Sequence, residues 1–211
     1  MTKIITVSRE FGSGGRELGK RLSDALGFNY YDKEILEQIA KETNTSEWYV
    51  EKVLKDVTLP NIPLHFSRSF SYYSPVTKQA VQMLVAERNV IQKLAAGGNC
   101  IIVGRGASII LQEQNPFNIF VYADMESKIK RCRSRAAASE KLTDKEMEKE
   151  IRRIDNERSK SLELISEFKW GDKKGYHLCI NTSGLSIKNI IPYIAEYAKY
   201  WLNENAENKK R

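Results

Sequence analysis

Apolar positions along the chain alternate between two rhythms. Compact apolar runs at Lys3 to Val7, CIIVG at 100–104, NIFVYA at 118–123 and YHLCIN at 176–181 read as short buried strands, and FNYY at 28–31 adds a shorter one. Between them apolar residues return at helical spacing: Leu18, Leu22, Ala25 and Leu26 up to Gly27, and Ile35, Leu36 and Ile39 after Asp32, which is placed to cap that helix. A further helix is predicted over 46–57. Ala80, Leu84, Ile91 and Ala95 make a stripe ended by Gly97 and Gly98. Two charged helices are predicted to split near Lys141 to Thr143, where Thr143 and Glu146 form a capping-box pattern. Ile187, Ile190, Ile191, Ile194, Tyr197, Ala198 and Trp201 give a last amphipathic helix, which Pro192 predicts to be kinked or to begin later, and NENAENKKR reads as a solvated tail. Strand and helix in alternation predict an α/β fold of three layers, a five-stranded parallel sheet with helices on both faces.

Two segments depart from that rhythm. TLPNIPLHFSRSFSYYSPV at 58–76 holds three of the five prolines among aromatics and serines and reads as a long loop or flap, with Phe66, Phe70, Tyr72 and Tyr73 packing it shut. Trp170, Gly171 and Asp172 read as a helix-end turn with the indole packed on the sheet.

Composition narrows the function. The 211 residues suit a single domain, with 41% hydrophobic and 29% charged residues as in an ordinary folded protein. Lysine and arginine outnumber aspartate and glutamate by 34 to 27, a formal charge of +7 that favours an anionic ligand. Cys100, Cys132 and Cys179 match neither a metal motif nor a disulfide framework, and with His65 and His177 as the only histidines no zinc cluster is expected. The N-terminus lacks a signal peptide's apolar region, and no window approaches the roughly 18 apolar residues of a membrane span. A cytoplasmic protein without membrane contact is the expectation.

The stretch SREFGSGGRELGKRL at 8–22 carries the strongest chemical signal. Gly12, Gly14 and Gly15 sit between the first strand and the first helix, where backbone amides curl around a phosphate with the helix dipole behind them. Glycine serves there by taking positive dihedrals and by letting the anion approach the amides. The segment resembles a P-loop, yet the usual GxxxxGK followed by a hydroxyl residue would need glycine at Glu10, lysine at Arg16 and the hydroxyl at Glu17. A second register through Gly19 and Lys20 buries the loop inside a helix and is rejected. Arg16 is then the substitute for the lysine, and Asp32 a candidate to hold magnesium.

Arginines supply the rest. Arg105 stands between two glycines past the third strand, Arg131 and Arg135 are spaced to share a helical face, and Asp155 and Arg158 share the next. The opening ITVSREFGSGGRELGKRL, YYDKEIL, IIVGRGASIIL, the spacing of Lys128, Arg131 and Arg135, IRRIDNERS and WGDKKGYHLCINTSGLSI together resemble, in order and spacing, the cytidylate kinase-like family over residues 2–198. That family is similar to bacterial cytidylate kinase, a P-loop nucleoside monophosphate kinase. The resemblance implies a single P-loop kinase-like domain over 1–211, with an acceptor-side flap about 32–76 and a helical lid about 125–170.

It also implies the site. Gly12, Ser13, Gly14, Gly15, Arg16 and Glu17 would bind the donor phosphates, and Asp32, Arg105, Asp155 and Arg158 the acceptor. Arg16, Asp32, Arg131 and Arg135 would serve the transfer, the last two from the lid, and Asn181, Thr182 and Ser183 would lie near the donor base. ATP and magnesium are the implied cofactors and a small nucleotide the implied substrate. Authentic cytidylate kinases resemble GxxGxGKGT at the loop and GRD after the third strand, whereas this chain has GSGGRE and GRG, so Gly106 removes a carboxylate, and Asn181 stands where an aspartate is common.

Three function classes follow. The first is an ATP-dependent kinase acting on a nucleoside monophosphate of the CMP or dCMP kind or a related small acceptor. The alternative is a non-catalytic nucleotide-binding sensor with a degenerate loop. The third, nucleic-acid binding, is not expected, because the basic residues of 128–160 are interleaved with Glu140, Asp144, Glu146, Glu148 and Glu150. Homo-oligomer formation is compatible with the pattern.

Overall fold

β1 (Ile4–Arg9), β2 (Asn29–Tyr31), β3 (Cys100–Val103), β4 (Phe117–Tyr122) and β5 (Leu178–Asn181) pair into one parallel sheet in the order β2-β3-β1-β4-β5. The computed structural model describes residues 2–56, 75–136 and 142–208. Parallel neighbours need crossovers, and the described helices supply them: α1 (Gly15–Leu26), α2 (Glu34–Thr43), α3 (Glu47–Asp56), α4 (Pro75–Ala96), the single turn α5 (Ala107–Ile110), α6 (Met125–Arg135), α7 (Asp144–Glu163) and α8 (Ile187–Asn208).

Side chains alternate across the sheet, and the three central strands β1, β3 and β4 bury both of their faces. Ile5, Val7, Ile101, Val103, Phe117, Ile119 and Val121 pack with Leu18 and Leu22 of α1 and with Ile187, Ile191, Ile194, Ala198 and Leu202 of α8. Ile4, Cys100, Ile102 and Phe120 are buried on the opposite face. Gly19 brings α1 close to the sheet, because a Cβ there would come to 2.9 Å from Val103. Trp170 meets Phe120 of β4 edge to face at 5.4 Å, as the turn around it predicts.

The chain forms two compact units. The first holds residues 1–32 and 94–211 and contains the whole sheet. The second holds 33–93, where α2 and α3 pack together and Ile35, Ile39, Val50, Met83 and Val90 are buried. Within it Tyr49 donates its hydroxyl to Gln79 at 2.9 Å, and Lys93 pairs with Glu42 at 3.6 Å.

Several expectations change. α2 is capped by Lys33 without a side-chain bond, not by Asp32, whose carboxylate is drawn to arginines described below. α8 starts at Ile187 and runs through Pro192 to Asn208, so its apolar stripe outweighs the missing amide and takes in most of the segment read as a tail. α6 ends at Arg135, short of the predicted split, while Thr143 and Glu146 form the predicted capping box on α7. The proline- and aromatic-rich segment before α4 lies outside the described residues. No helix among the described residues is long and apolar enough to cross a membrane.

Candidate active site

The carboxyl ends of the strands gather the polar residues, and the turn after β1 is the most constrained of them. Glu10 still donates to Val121 at 2.9 Å, extending the sheet by one bond, and the buried Ser13 hydroxyl donates to the Glu10 carbonyl at 2.8 Å. Gly12 and Gly14 take φ of 77° and 86°, and Gly14 caps α1 with no side chain to satisfy the first amides. Those amides have no acceptor inside the helix and lie at its positive end, which is the arrangement that holds a phosphate. Gly15 does not share the positive φ expected of it, and its reason is a neighbour taken up below.

Other elements hold this loop in place. Asp155 of α7 accepts the Phe11 amide at 2.6 Å, and Thr182, past β5, donates to the Ser13 carbonyl at 2.7 Å. Arg131 of α6 donates to the Gly12 carbonyl at 3.5 Å, to the Leu185 carbonyl at 3.1 Å and to the Thr182 carbonyl. A Cβ on Gly12 would lie 2.9 Å from the Lys128 carbonyl, and one on Gly14 2.8 Å from Ile187. With the Gly12 and Ser13 carbonyls engaged in this way, the conformation is fixed before any ligand arrives.

Two charged clusters flank the loop. In the first, the buried Lys128 ammonium lies 3.0 Å from Glu10 and 3.1 Å from Asp155. Burial raises the pKa of Asp155, even though the Phe11 amide and Lys128 favour its charged form. In the second, Asp32 meets Arg16 at 2.5 Å and Arg9 at 3.8 Å. Arg158 donates to the Arg9 carbonyl at 3.0 Å, lies 3.5 Å from Asp155 and covers the Phe11 ring at 5.6 Å. Burial, followed by Arg158, pushes the Arg9 guanidinium down to about 9, with Arg16 and Arg105 adding to the effect and Asp32 opposing it. Burial likewise lowers Arg158.

Arg105 has φ of 55° between Gly104 at 82° and Gly106 at 61°, three successive left-handed residues on the loop after β3. An arginine held there is under backbone strain of the sort that collects at functional sites. The sequence read Gly106 as a lost carboxylate; here it caps α5 at a φ of 61°, in the left-handed region that favours glycine.

The remaining expected residues lie farther around the loop. Arg135 reaches Glu17 at 2.6 Å, and Glu17 also accepts from Arg21 at 2.8 Å, so the Glu17 carboxylate is held by two cations. Asn181 accepts from the Ser183 amide and hydroxyl at 3.0 and 2.6 Å, while Ser183 accepts the Asp124 amide at 2.7 Å, tying this turn to the start of α6. Thus Arg16, Asp32, Arg105 and Arg158 gather on the β1, β2 and β3 side, with Arg131 and Arg135 against the loop and α1. Sequence reading missed Arg9, Glu10 and Lys128. Lys128 stood in the spacing with Arg131 and Arg135 but had no assigned partner, and Arg9 lay in the glycine-loop stretch beyond the predicted strand with no role of its own.

A parallel sheet of this order, with a glycine turn after its central strand and charged helices beside it, is the P-loop kinase fold. The cytidylate kinase-like family model matches residues 4–184, and the chain belongs to that family. Among solved structures, an uncharacterized protein from Eubacterium ventriosum is similar with 24% identity and a TM-score of 0.67, over 93% of this chain and 98% of that one. Shikimate kinase from Bacteroides thetaiotaomicron is similar at 14% identity and TM-score 0.56, over 94% and 99% of the two chains. Shikimate kinase from Acinetobacter baumannii, in complex with shikimate, has 15% identity and TM-score 0.52 over 93% and 92%. No curated protein matches the sequence.

Proposed function

We propose that this chain is an ATP-dependent kinase that moves the terminal phosphate of ATP to a nucleoside monophosphate of the CMP or dCMP kind, or to a related small acceptor. The observation that carries the reading is the gathering of Arg16, Arg105 and Arg158 about Arg9, with Arg9 and Arg16 paired to Asp32, next to the glycine-capped start of α1. A transferring phosphoryl group spreads negative charge over its oxygens, and pre-placed guanidiniums and amides stabilise that charge without reorganising.

The β- and γ-phosphates would rest on the amides from Gly14 to Glu17. Arg105 and Arg158 would hold the acceptor's phosphate, and Arg131 and Arg135 would fix the loop and α1 while the site is filled. The bond from the γ-phosphorus to the bridging oxygen breaks, a bond to the acceptor oxygen forms, and ADP leaves. A monophosphate acceptor brings an oxygen already ionised at neutral pH, so no general base is required; with a hydroxyl acceptor Asp32 would take the proton. Magnesium fits the donor set only in part: among the described residues no cluster of acidic, histidine or cysteine side chains could hold an ion alone. Asp32 together with ATP's own oxygens would hold it, as is usual for this ion, and it would draw charge from the phosphates.

The test is release of ADP by purified protein with ATP and magnesium, across a panel of nucleoside monophosphates and small hydroxy acids. One acceptor is expected to raise turnover at least about tenfold over ATP hydrolysis alone. No stimulation by any acceptor, with ATP bound, would leave the nucleotide-sensor alternative in its place.

A further inference from the structure

We propose that Arg9 supplies the phosphate loop's cation, having exchanged places with the lysine of the usual pattern; this rests on the kinase reading above. The start of α1 decides a register that two adjacent glycines leave open in the sequence. Gly14, left-handed and capping α1, ends the loop as the second glycine of GxxxxGK does. The pattern's first glycine then falls on Arg9, the last residue of β1, its lysine on Gly15 and its hydroxyl on Arg16. Glycine and cation have changed positions.

The exchange has a steric basis. Gly15 has no positive φ, so its backbone would accept a side chain. A Cβ there would overlap the Cβ of Arg9 and lie 2.9 Å from its Cγ, whereas the next neighbour, Val121, would stand at an ordinary 3.4 Å. Gly104 plays the matching part at the other end, since a Cβ on it would overlap the Arg9 guanidinium. The arginine therefore lies in a slot made by two glycines, with its stem beside the start of α1 and its head beside the turn after β3. Its side chain is 17% exposed, and its carboxylate neighbour Asp32 is 3.8 Å away, with the other Asp32 oxygen engaged by Arg16 at 2.5 Å. Arg158, Arg16 and Arg105 all act on it with like charge. A guanidinium partly withdrawn from water among three others is unfavourable until a multiply charged anion joins them, and the phosphates of ATP are such an anion.

Calorimetric titration of ATP and of tripolyphosphate, paired with phosphoryl transfer, tests this in the wild type, Arg9→Met, Arg9→Gly, Gly15→Lys and the double variant Arg9→Gly/Gly15→Lys. Arg9→Met keeps the stem in its slot and removes the charge; it is expected to weaken ATP about thirtyfold and to slow transfer about a hundredfold. Gly15→Lys alone should fail, because two stems compete for one volume. In the double variant the cation returns by the usual route, and binding should recover about tenfold over Arg9→Gly. Arg9→Met binding ATP within about threefold of wild type would overturn the inference, as would a double variant no better than Arg9→Gly. Should the glycine variants fail to fold, Arg9→Lys against Arg9→Met decides: at least about tenfold tighter ATP binding by the lysine supports a charge role, and equal binding overturns it. A wild type that binds neither ATP nor tripolyphosphate would remove the kinase reading and this inference together, whereas the Arg9 outcomes above strike the inference alone.

Discussion

The two charged clusters beside the glycine loop have opposite balances. Lys128 is one buried cation between two carboxylates, Glu10 and Asp155, the latter also 3.5 Å from Arg158, and the group is bonded to the loop through the Phe11 amide and, from Glu10, to the Ala123 amide at 3.2 Å. Around Asp32 the ratio is reversed, with Arg9 and Arg16 both paired to one carboxylate and Arg16 57% exposed at the rim. The first cluster is anchored on a buried cation and fixes shape; in the second the cations outnumber the Asp32 carboxylate they meet, and one of them stands at the rim. Proximity to the loop does not separate a clamp from a binding site. Charge balance and exposure do.

The largest effect that would sharpen this contrast falls on the clamp. Lys128→Met removes the buried cation that joins Glu10 and Asp155 and leaves Asp155 only the longer contact with Arg158, and unfolding in denaturant should show a loss of about 3–5 kcal/mol. A loss below about 1 kcal/mol would mean that the clamp is not one.

Arg16→Ala should do the reverse. Its ion pair with Asp32 is exposed on one side, so stability should change by less than about 1 kcal/mol, while kcat/KM should fall about a hundredfold, equivalent to about 2.7 kcal/mol of transition-state stabilisation. Unchanged kinetics would show that the arginine belongs to the fold.

Thr182→Val removes the hydroxyl that supports the Ser13 carbonyl and should cost about 1–3 kcal/mol in thermal or denaturant unfolding, with a rise in KM for ATP. A stability loss with KM unmoved would separate the loop's shape from its ligand.

The smallest effect lies far from both clusters. His177 Nδ1 accepts the Asn118 amide at 2.9 Å, and burial lowers its pKa from 6.5, so the native state favours the neutral ring. The stability it adds is fully present above pH 6.5 and is lost as the pH falls through the depressed native value. Melting temperature should drop by about 2 °C or less over that window relative to His177→Gln, and identical pH profiles for the two proteins would remove the assignment.

Most of the fold was legible because each element announces itself locally. The central strands are apolar runs buried on both faces, Leu18 and Leu22 repeat at helical spacing, and Thr143 and Glu146 mark a helix start in four residues. The site was legible where a local constraint left a mark, as with the positive φ of Gly12 and Gly14 or the glycines around Arg105. It was illegible where the partner is distant in sequence. Lys128 joins Glu10 across 118 residues, and Thr182 reaches Ser13 across 169. Asp32 carried a helix-cap pattern, but the cap position falls one residue later, on Lys33, and the Asp32 carboxylate pairs with Arg9 and Arg16, whose positions the local pattern does not reveal. Gly15 read as a turn glycine because sequence cannot distinguish a required dihedral from a required vacancy.

The mutual exclusion of side chains at positions 9 and 15 restricts how such a loop can change over generations. A lineage moving from one arrangement to the other cannot acquire the new cation before discarding the old one, since the two stems would overlap. The permitted intermediate has glycine at both positions and neither cation. Loops of the two kinds are therefore separated by a fitness valley, and each should persist within its own branch of descent.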